Sequence, residues 1–404
     1  NLLLKKYKEK VKCIYIDPPF NTGTNEFLYK NKYLDSSWIS MMFDRLYLGK
    51  KSLKDDGSIY TRIDYHGNHY VRSLMDMIFG AEKFRNEVII NRSKQTKGAT
   101  NIFLNKTESL LFYENNEKFS LNKLKREKEL VKFGRILLKK YKLILKNNSI
   151  YKEIKDSFNE IFWLPFLHLY GEQKNKPERI IFGLKIYSPK DRHWAFSQEN
   201  LDIAISERRA RLNCVICGYK HYNGIWKKCP KCNSEKVNPE IYNVEELVTT
   251  NWTDIPGYSQ DPNFPTRNAE ELLKRVIESA SKENDIIIDY FLGSGTTTAV
   301  AHKLGRKWIG VEMGEFFENI PLERMKKVFY GEKTGISKEI KWQGGGFFKY
   351  HYLEQYEDTI HNIEFPQEEK GQRILELLPE GEKSEYLMKY MLKFETEGSP
   401  SLLN

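Results

Sequence analysis

The chain has 404 residues, 40% of them hydrophobic, enough for a substantial core and for two or three domains. No apolar run approaches the ~18 residues that a membrane-spanning helix needs, which excludes that class of function. An excess of ten positive charges and a pI near 9.0 favour a polyanionic partner, most simply nucleic acid.

The first strong signal is Val11-Lys12-Cys13-Ile14-Tyr15-Ile16, a run rich in β-branched and aromatic residues that stops at Asp17-Pro18-Pro19-Phe20. It reads as a buried strand breaking into a loop, with Cys13 a small buried hydrophobe. Asp17 then sits at a strand's carboxyl end, where open α/β sheets place their ligands. Pro19 has no N–H and Pro18 biases Asp17 toward extended geometry, so the carboxylate and nearby carbonyls point away from the sheet. A carboxylate, an oriented carbonyl and the ring of Phe20 suit gripping the exocyclic amine of a planar base while the ring stacks on it. The plainer reading is a turn and nothing more.

Beyond the polar stretch 21–25, Ser36-Ser37 reads as a helix cap, and Trp38, Met41, Met42, Leu46 and Leu53 recur at helical spacing up to Asp56-Gly57. Residues 58–63 read as a strand, 69–79 as a helix with Gly80 as its C-cap, and 88–90 and 110–113 as strands. Alternating strand and helix predicts an α/β layer architecture. Near Phe119 the character shifts: residues 121–148 carry ten Lys or Arg against two Glu, with aliphatic residues interleaved at helical spacing. That is either a solvated helix with one buried stripe or a phosphate-facing surface. Residues 150–210 read as irregular, aromatic and charged.

Four of the five cysteines form two CxxC pairs, Cys214/Cys217 and Cys229/Cys232, eleven residues apart. Such knuckles bring four thiolates to one tetrahedral ion, which predicts structural zinc with no open coordination position, in a reducing compartment.

A second anchor lies far downstream. The apolar run 285–291 exits into Leu292-Gly293-Ser294-Gly295-Thr296-Thr297-Thr298, a helix follows through Ala301 to Leu304 and Gly305, and the strand 307–311 carries Glu312 at its end. This is a nucleoside-binding βαβ unit, with glycines for close approach and an acid for ribose hydroxyls. It departs from the dinucleotide fingerprint. The third glycine is missing, and Asp289 just before the turn would repel a pyrophosphate but welcome a cationic ligand bearing an amine or sulfonium. S-adenosylmethionine fits; NAD fits poorly.

Asp17-Pro18-Pro19-Phe20 and Phe291-Leu292-Gly293-Ser294-Gly295-Thr296-Thr297 together resemble the catalytic and cofactor motifs of amino-group DNA methyltransferases, in the permuted order of the β class. Further segments sharpen the resemblance to the modification (Mod) subunits of type III restriction–modification systems: residues 15–23, 38–46, 56–59, 251–254, 264–266, 272–275 and 344–350. It covers roughly residues 1–119 and 251–356. The resemblance implies a Rossmann-like methyltransferase sheet and N6-adenine methylation of a flipped-out base in double-stranded DNA. Asp17, Pro18, Pro19 and Phe20 are then the catalytic set. Asp289, Phe291, Gly293, Gly295, Thr296 and Glu312, with Asp17, hold S-adenosylmethionine. It further implies a helicase-endonuclease partner subunit, self-association as a dimer, and a cytoplasmic, nucleoid-associated place in a bacterium.

Two departures stand out: Phe20 replaces the family's usual Tyr, and Thr266-Arg267-Asn268-Ala269-Glu270 lacks the Lys and Pro of Thr-x-Lys-Pro-Glu, leaving Arg267 as a substitute contact. The expected organisation is a catalytic half at 1–119, an inserted target-recognition region at 120–250 with the zinc knuckle at 214–232, a cofactor half at 251–345 and a C-terminal extension at 346–404. Asn1 and the apolar end Ser401-Leu402-Leu403-Asn404 read as cuts within a longer protein. The rival readings are an N4-cytosine DNA methyltransferase, an RNA or protein amino-methyltransferase, and an inactive zinc-containing DNA-binding module. Carbon-5 methylation is excluded by the lack of a Pro-Cys nucleophile.

Overall fold

Alternate residues of one strand divide the core. In β1 (Val11–Ile16), Ile14 and Ile16 pack on one face of a sheet while Cys13 and Tyr15 pack on the other, so the strand is covered on both sides. The first face is closed by Trp38, Met42 and Leu46 of α1 (Asp35–Ser52) and by Val71 and Met75 of α2 (Asn68–Phe79). The second is closed by Leu272, Leu273, Val276 and Ile277 of α3 (Glu270–Ala280) and by Val300 and Ala301 of α4 (Thr296–Lys303). The fold is therefore an α/β, Rossmann-like three-layer arrangement.

This computed structural model describes residues 2–21, 33–92, 105–128, 157, 159–165, 168–170, 178–187, 192–194, 197–259 and 264–352. Its chain divides into two units, 1–345 and 346–404, and the central sheet and its helices belong to the first. No helix among the described residues is long and apolar enough to cross a membrane.

The central sheet has seven strands. The remaining six are β2 (Leu53–Ile63), β3 (Phe84–Asn91), β4 (Thr107–Glu114), β5 (Asn251–Trp252), β6 (Ile286–Asp289) and β7 (Lys307–Gly310), in the order β5-β3-β4-β2-β1-β6-β7. Pairing is parallel except that β4 runs against both β2 and β3. Cys13 pairs with Ile287 and Ile14 with Ile288, so the two anchor strands lie side by side. From β1 the chain leaves through α1 toward β2; from β6 it leaves through α4 toward β7 on the other side. Between β1 and β6 the strand order thus reverses, and the crevice outside their carboxyl ends is where such a sheet takes a ligand.

Some local expectations change. Leu34, not Ser36 or Ser37, stands at the N-cap of α1, with no side-chain cap, and both serines lie in the first helical turn. Asp56-Gly57 does not end the helix either. α1 passes directly into β2 at Leu53, and the pair sits inside that strand where the register against β1 shifts between Val11 and Cys13. Gly57 is needed there because a Cβ would come within 2.9 Å of the Lys54 carbonyl oxygen. Gly80 does terminate α2, with φ of 103°.

Among the described residues of 150–210, short strands and a helix stand in place of the expected irregular stretch. The helix Gln198–Ser206 starts at Ser197, whose Oγ accepts from the Asn200 amide at 3.2 Å. A four-stranded antiparallel sheet orders Lys220–His221, Ala210–Cys214, Val237–Tyr242 and Trp163–Pro165 around Ile181, Leu201, Leu212 and Trp226. Most of the basic run, residues 129–148, and the expected last helix, 383–394, lie outside the described residues.

Candidate functional site

β1 ends at Ile16, and the next residue, Asp17, is half-buried at the mouth of the crevice. Pro18 is buried. Its carbonyl accepts no hydrogen bond from the described residues, whereas the Pro19 carbonyl accepts one from Trp38 Nε1 at 2.7 Å. Of the two carbonyls, Pro19's is committed to the fold. Phe20 packs with part of its ring against the core face that Trp38 belongs to, alongside Phe291.

Asp17 Oδ2 accepts from Asn268 Nδ2 at 2.8 Å. Asn268 Oδ1 in turn accepts from Tyr15 Oη at 3.1 Å and from Arg62 Nη1. Arg62, on β2, is fully buried, donates to Glu108 of β4 at 2.8 Å and to the Gly257 carbonyl at 3.0 Å, and lies 3.9 Å over the Tyr258 ring. Burial pushes the Asp17 carboxyl up to about 6; Arg62 and Asn268 oppose that, Glu108 and Asp64 add to it. It remains a carboxylate above neutrality, as an acceptor of N–H groups must.

Beside it, Asp289 closes β6 and is almost wholly buried. Its Oδ1 accepts from the Phe291 amide at 3.0 Å and its Oδ2 from Thr297 Oγ1 at 2.6 Å, so it braces the glycine turn from behind. Burial pushes its pKa up to about 7, and the negative charges of Asp17 and Glu312 push the same way. Gly293 and Gly295 carry φ of 53° and 77°, the left-handed backbone that lets this turn fold onto the start of α4. Glu312 follows β7 and accepts from the Gly293 amide at 2.7 Å and the Gly314 amide at 2.8 Å. Thr296 opens α4, donates to the Asn268 carbonyl at 3.3 Å and accepts from Arg324 Nη1 at 2.7 Å.

The expected catalytic and cofactor residues thus come together from both ends of the chain. Two buried carboxyls, Asp17 and Asp289, the second under the negative charge of the first and of Glu312, suit a ligand that brings positive charge, and a glycine turn next to Glu312 suits a ribose. The residues present fit S-adenosylmethionine; a dinucleotide pyrophosphate would meet Asp289 and Glu312. Arg62, Glu108, Tyr258, Asn268 and Trp38 lie outside the expected set. Arg62 carries one signal: a cation inside the otherwise uncharged run Ser58-Ile59-Tyr60-Thr61-Arg62-Ile63 must be paired.

The four cysteines lie apart from this crevice, around the small sheet. Cys214 and Cys232 sulfurs are 3.5 Å apart, those of Cys217 and Cys229 3.4 Å, and all four lie within 4.8 Å of one another. A zinc–sulfur tetrahedron with bonds of about 2.3 Å has edges of about 3.8 Å, so the cluster fits one ion. Backbone amides of Cys217 and Ile216 aimed at Cys214 hold its thiol down at about 6. Cys13 is buried in β1, its thiol pushed up to about 12 by burial.

A family model described as DNA methylase matches residues 11–323. The "Probable type III restriction-modification enzyme HindVI Mod subunit" of Haemophilus influenzae is 32% identical over 88% of this chain and 53% of its own length. The type II methyltransferase M.KpnI of Klebsiella pneumoniae is 28% identical over 74% of this chain and 73% of its own. The type III restriction-modification enzyme StyLTI Mod subunit of Salmonella typhimurium is 26% identical over 73% of this chain and 47% of its own. The chain spans about half the length of these Mod subunits. Among solved structures, PvuII DNA methyltransferase (cytosine-N4-specific) is similar at 14% identity over 84% of this chain and 86% of that one, with a TM-score of 0.38.

Proposed function

The chain belongs to the DNA methylase family, and we propose that it uses S-adenosylmethionine to methylate the N6 amino group of adenine, flipped out of double-stranded DNA, as the modification part of a restriction–modification system. The observation that carries this reading is the junction of the two motifs: Asp17 and Asp289 stand at the carboxyl ends of neighbouring parallel strands, where the strand order reverses, and the charge of Asp17 acts on Asp289.

When bound, S-adenosylmethionine supplies an electrophilic methyl group. The rest is work for the chain's own side chains. An aromatic amine is a poor nucleophile because its lone pair is delocalised into the ring. Asp17 and the Pro18 carbonyl accept the amine's hydrogens, return electron density to nitrogen and hold it in line; positioning and preorganised charge supply the acceleration. Phe20 stacks on the extruded base. Asp289 and Asp17 offset the cofactor's positive charge, Glu312 receives its ribose hydroxyls, and Phe291, Gly293, Gly295 and Thr296 shape the turn against it.

The region 120–250 reads the target. Its lysines and arginines supply phosphate contacts, and zinc held by Cys214, Cys217, Cys229 and Cys232 fixes its small sheet. The Mod-subunit relatives support a restriction partner subunit; self-association as a dimer and a place in a bacterial cytoplasm complete the reading.

The test is incubation with tritiated S-adenosylmethionine and unmethylated genomic DNA, beside Asp17→Ala. Label in N6-methyladenine that the variant loses supports the reading. Label in N4-methylcytosine, or only in RNA, replaces adenine DNA with that substrate. Absence of any cofactor binding overturns the enzyme and leaves a DNA-binding module.

A further inference from the structure

Asn268 stands where the resembling family carries lysine, and its side chain is held at both ends. Oδ1 receives two donors, Tyr15 Oη and Arg62 Nη1, so the amide nitrogen must face Asp17, and it does, at 2.8 Å from Oδ2. Its main chain is equally fixed. The Asn268 carbonyl accepts from Thr296 at the start of α4, the following amide, Ala269, donates to the Gly257 carbonyl at 3.1 Å, and Tyr258 bridges to Asn268 as a short antiparallel pair. One residue therefore ties the catalytic loop after β1 to the glycine turn after β6.

We propose that Asn268 is a positioning residue for methyl transfer: it pins Oδ2 of Asp17, passes the buried Arg62 charge to it, and leaves Oδ1 and the Pro18 carbonyl as the two acceptors for the amine. The proposal rests on the reading of Asp17 as the amine's acceptor. It deepens that reading by assigning the place of the missing lysine a different task, one that depends on Arg62.

The charged and titratable groups around Asp17 show why the bridge matters. Arg62 and Asp64 face it from β2 and its end, Glu108 from β4, Asp289 from β6, with Tyr15 on its own strand and Tyr258 beyond Asn268. Arg62 is the cation of that set, against three other carboxylates. Remove the amide and Asp17 keeps its like-charged neighbours while losing its donor, so its carboxylate form is disfavoured and it titrates at higher pH.

The experiment compares wild type, Asn268→Ala and Asn268→Asp, with Asp17→Asn as a spectroscopic blank. Infrared titration of the protonated-carboxyl band that Asp17→Asn removes reads Asp17 without any turnover. In Asn268→Ala the midpoint and the acid limb of kcat/KM both rise by about one pH unit, and turnover at pH 7.5 falls about tenfold or more, while cofactor affinity stays within about threefold. Asn268→Asp fills the same volume and still accepts from Arg62, but it cannot donate as an anion; its midpoint rises at least as far. A filler role would leave the Asp17 midpoint of Asn268→Ala near wild type, whereas the added carboxylate of Asn268→Asp raises it in either case. An unmoved midpoint with turnover within about threefold in Asn268→Ala overturns the proposal. If the wild type methylates no nucleic acid, the reading of function fails, and the infrared midpoint still decides whether Asn268 sets the state of Asp17.

Discussion

Trp38 Nε1 donates to the Pro19 carbonyl at 2.7 Å, tying the first turn of α1 to the loop that ends β1. The indole is buried in the core face formed by α1 and α2, so the loop is anchored to the packed core. The same bond occupies the Pro19 carbonyl, which is why the proposed mechanism assigns the amine to the Pro18 carbonyl.

Replacing Trp38 by Phe keeps a ring in the core and deletes the donor. The lost hydrogen bond and the small void cost about 1–3 kcal/mol of stability, and turnover falls about tenfold as the loop relaxes. Urea unfolding and a methylation assay at saturating cofactor measure the two effects separately. Full turnover in a destabilised variant would mean that the loop holds its geometry without Trp38.

Cofactor binding depends on pH through the two raised carboxyls, Asp17 near 6 and Asp289 near 7. A cationic ligand needs both ionised, so affinity for S-adenosylmethionine falls as pH drops through this window, by up to about tenfold per unit for each proton that must leave. S-adenosylhomocysteine lacks the sulfonium charge and shows a shallower fall. Calorimetry in buffers of different ionisation enthalpy counts the protons released. Equal pH slopes for the two ligands would remove the carboxylates from the charge balance.

The four-cysteine cluster makes a separable prediction. The purified chain carries one zinc per molecule, and strong chelation or Cys229→Ser removes it and loosens the small sheet around Leu212 and Trp226, because ion binding is part of that module's folding energy. DNA methylation is then lost while cofactor binding survives. Metal analysis with limited proteolysis reads the first part, calorimetry the second. A metal-free chain whose small sheet resists protease equally well would rule the ion out as a structural element.

Legibility in the sequence follows chemistry more closely than geometry. β1 and β6 are readable because each is a dense apolar run ending at a carboxylate, and the glycine turn and Glu312 follow in register. Their adjacency is not: Cys13 and Ile287 are far apart in sequence, and no local pattern states which strands pair. The direct passage of α1 into β2 is hidden because Asp56-Gly57 looks like a stop, yet tertiary pairing with β1 carries it as strand. Asn268 is visible only as a departure from a motif; its task emerges when Arg62, from a strand 206 residues away, reaches it in space.

Asp289 sets the site's cost in stability. Its pKa is raised in the folded protein to about 7, so the native state holds a proton that the unfolded chain releases near 3.8. The protonated group's contribution is complete below the unfolded value and is lost as pH rises through the folded one. At pH 8 the wild type therefore carries a buried charge that no cation among the described residues offsets. Asp289→Asn keeps an acceptor for the Phe291 amide and a donor that Thr297 can receive by rotating its hydroxyl, while removing that charge. The ligand-free variant is then more stable than wild type at pH 8, by at most about 2–4 kcal/mol, and the gain vanishes as pH falls toward 4. Cofactor reverses the order, because it stabilises the wild type by mass action and the variant far less. Thermal melts at pH 5 and pH 8, with and without S-adenosylmethionine, give the four values needed. A ligand-free variant that melts below wild type at pH 8 would show that the hydrogen bonds of Asp289 outweigh its buried charge.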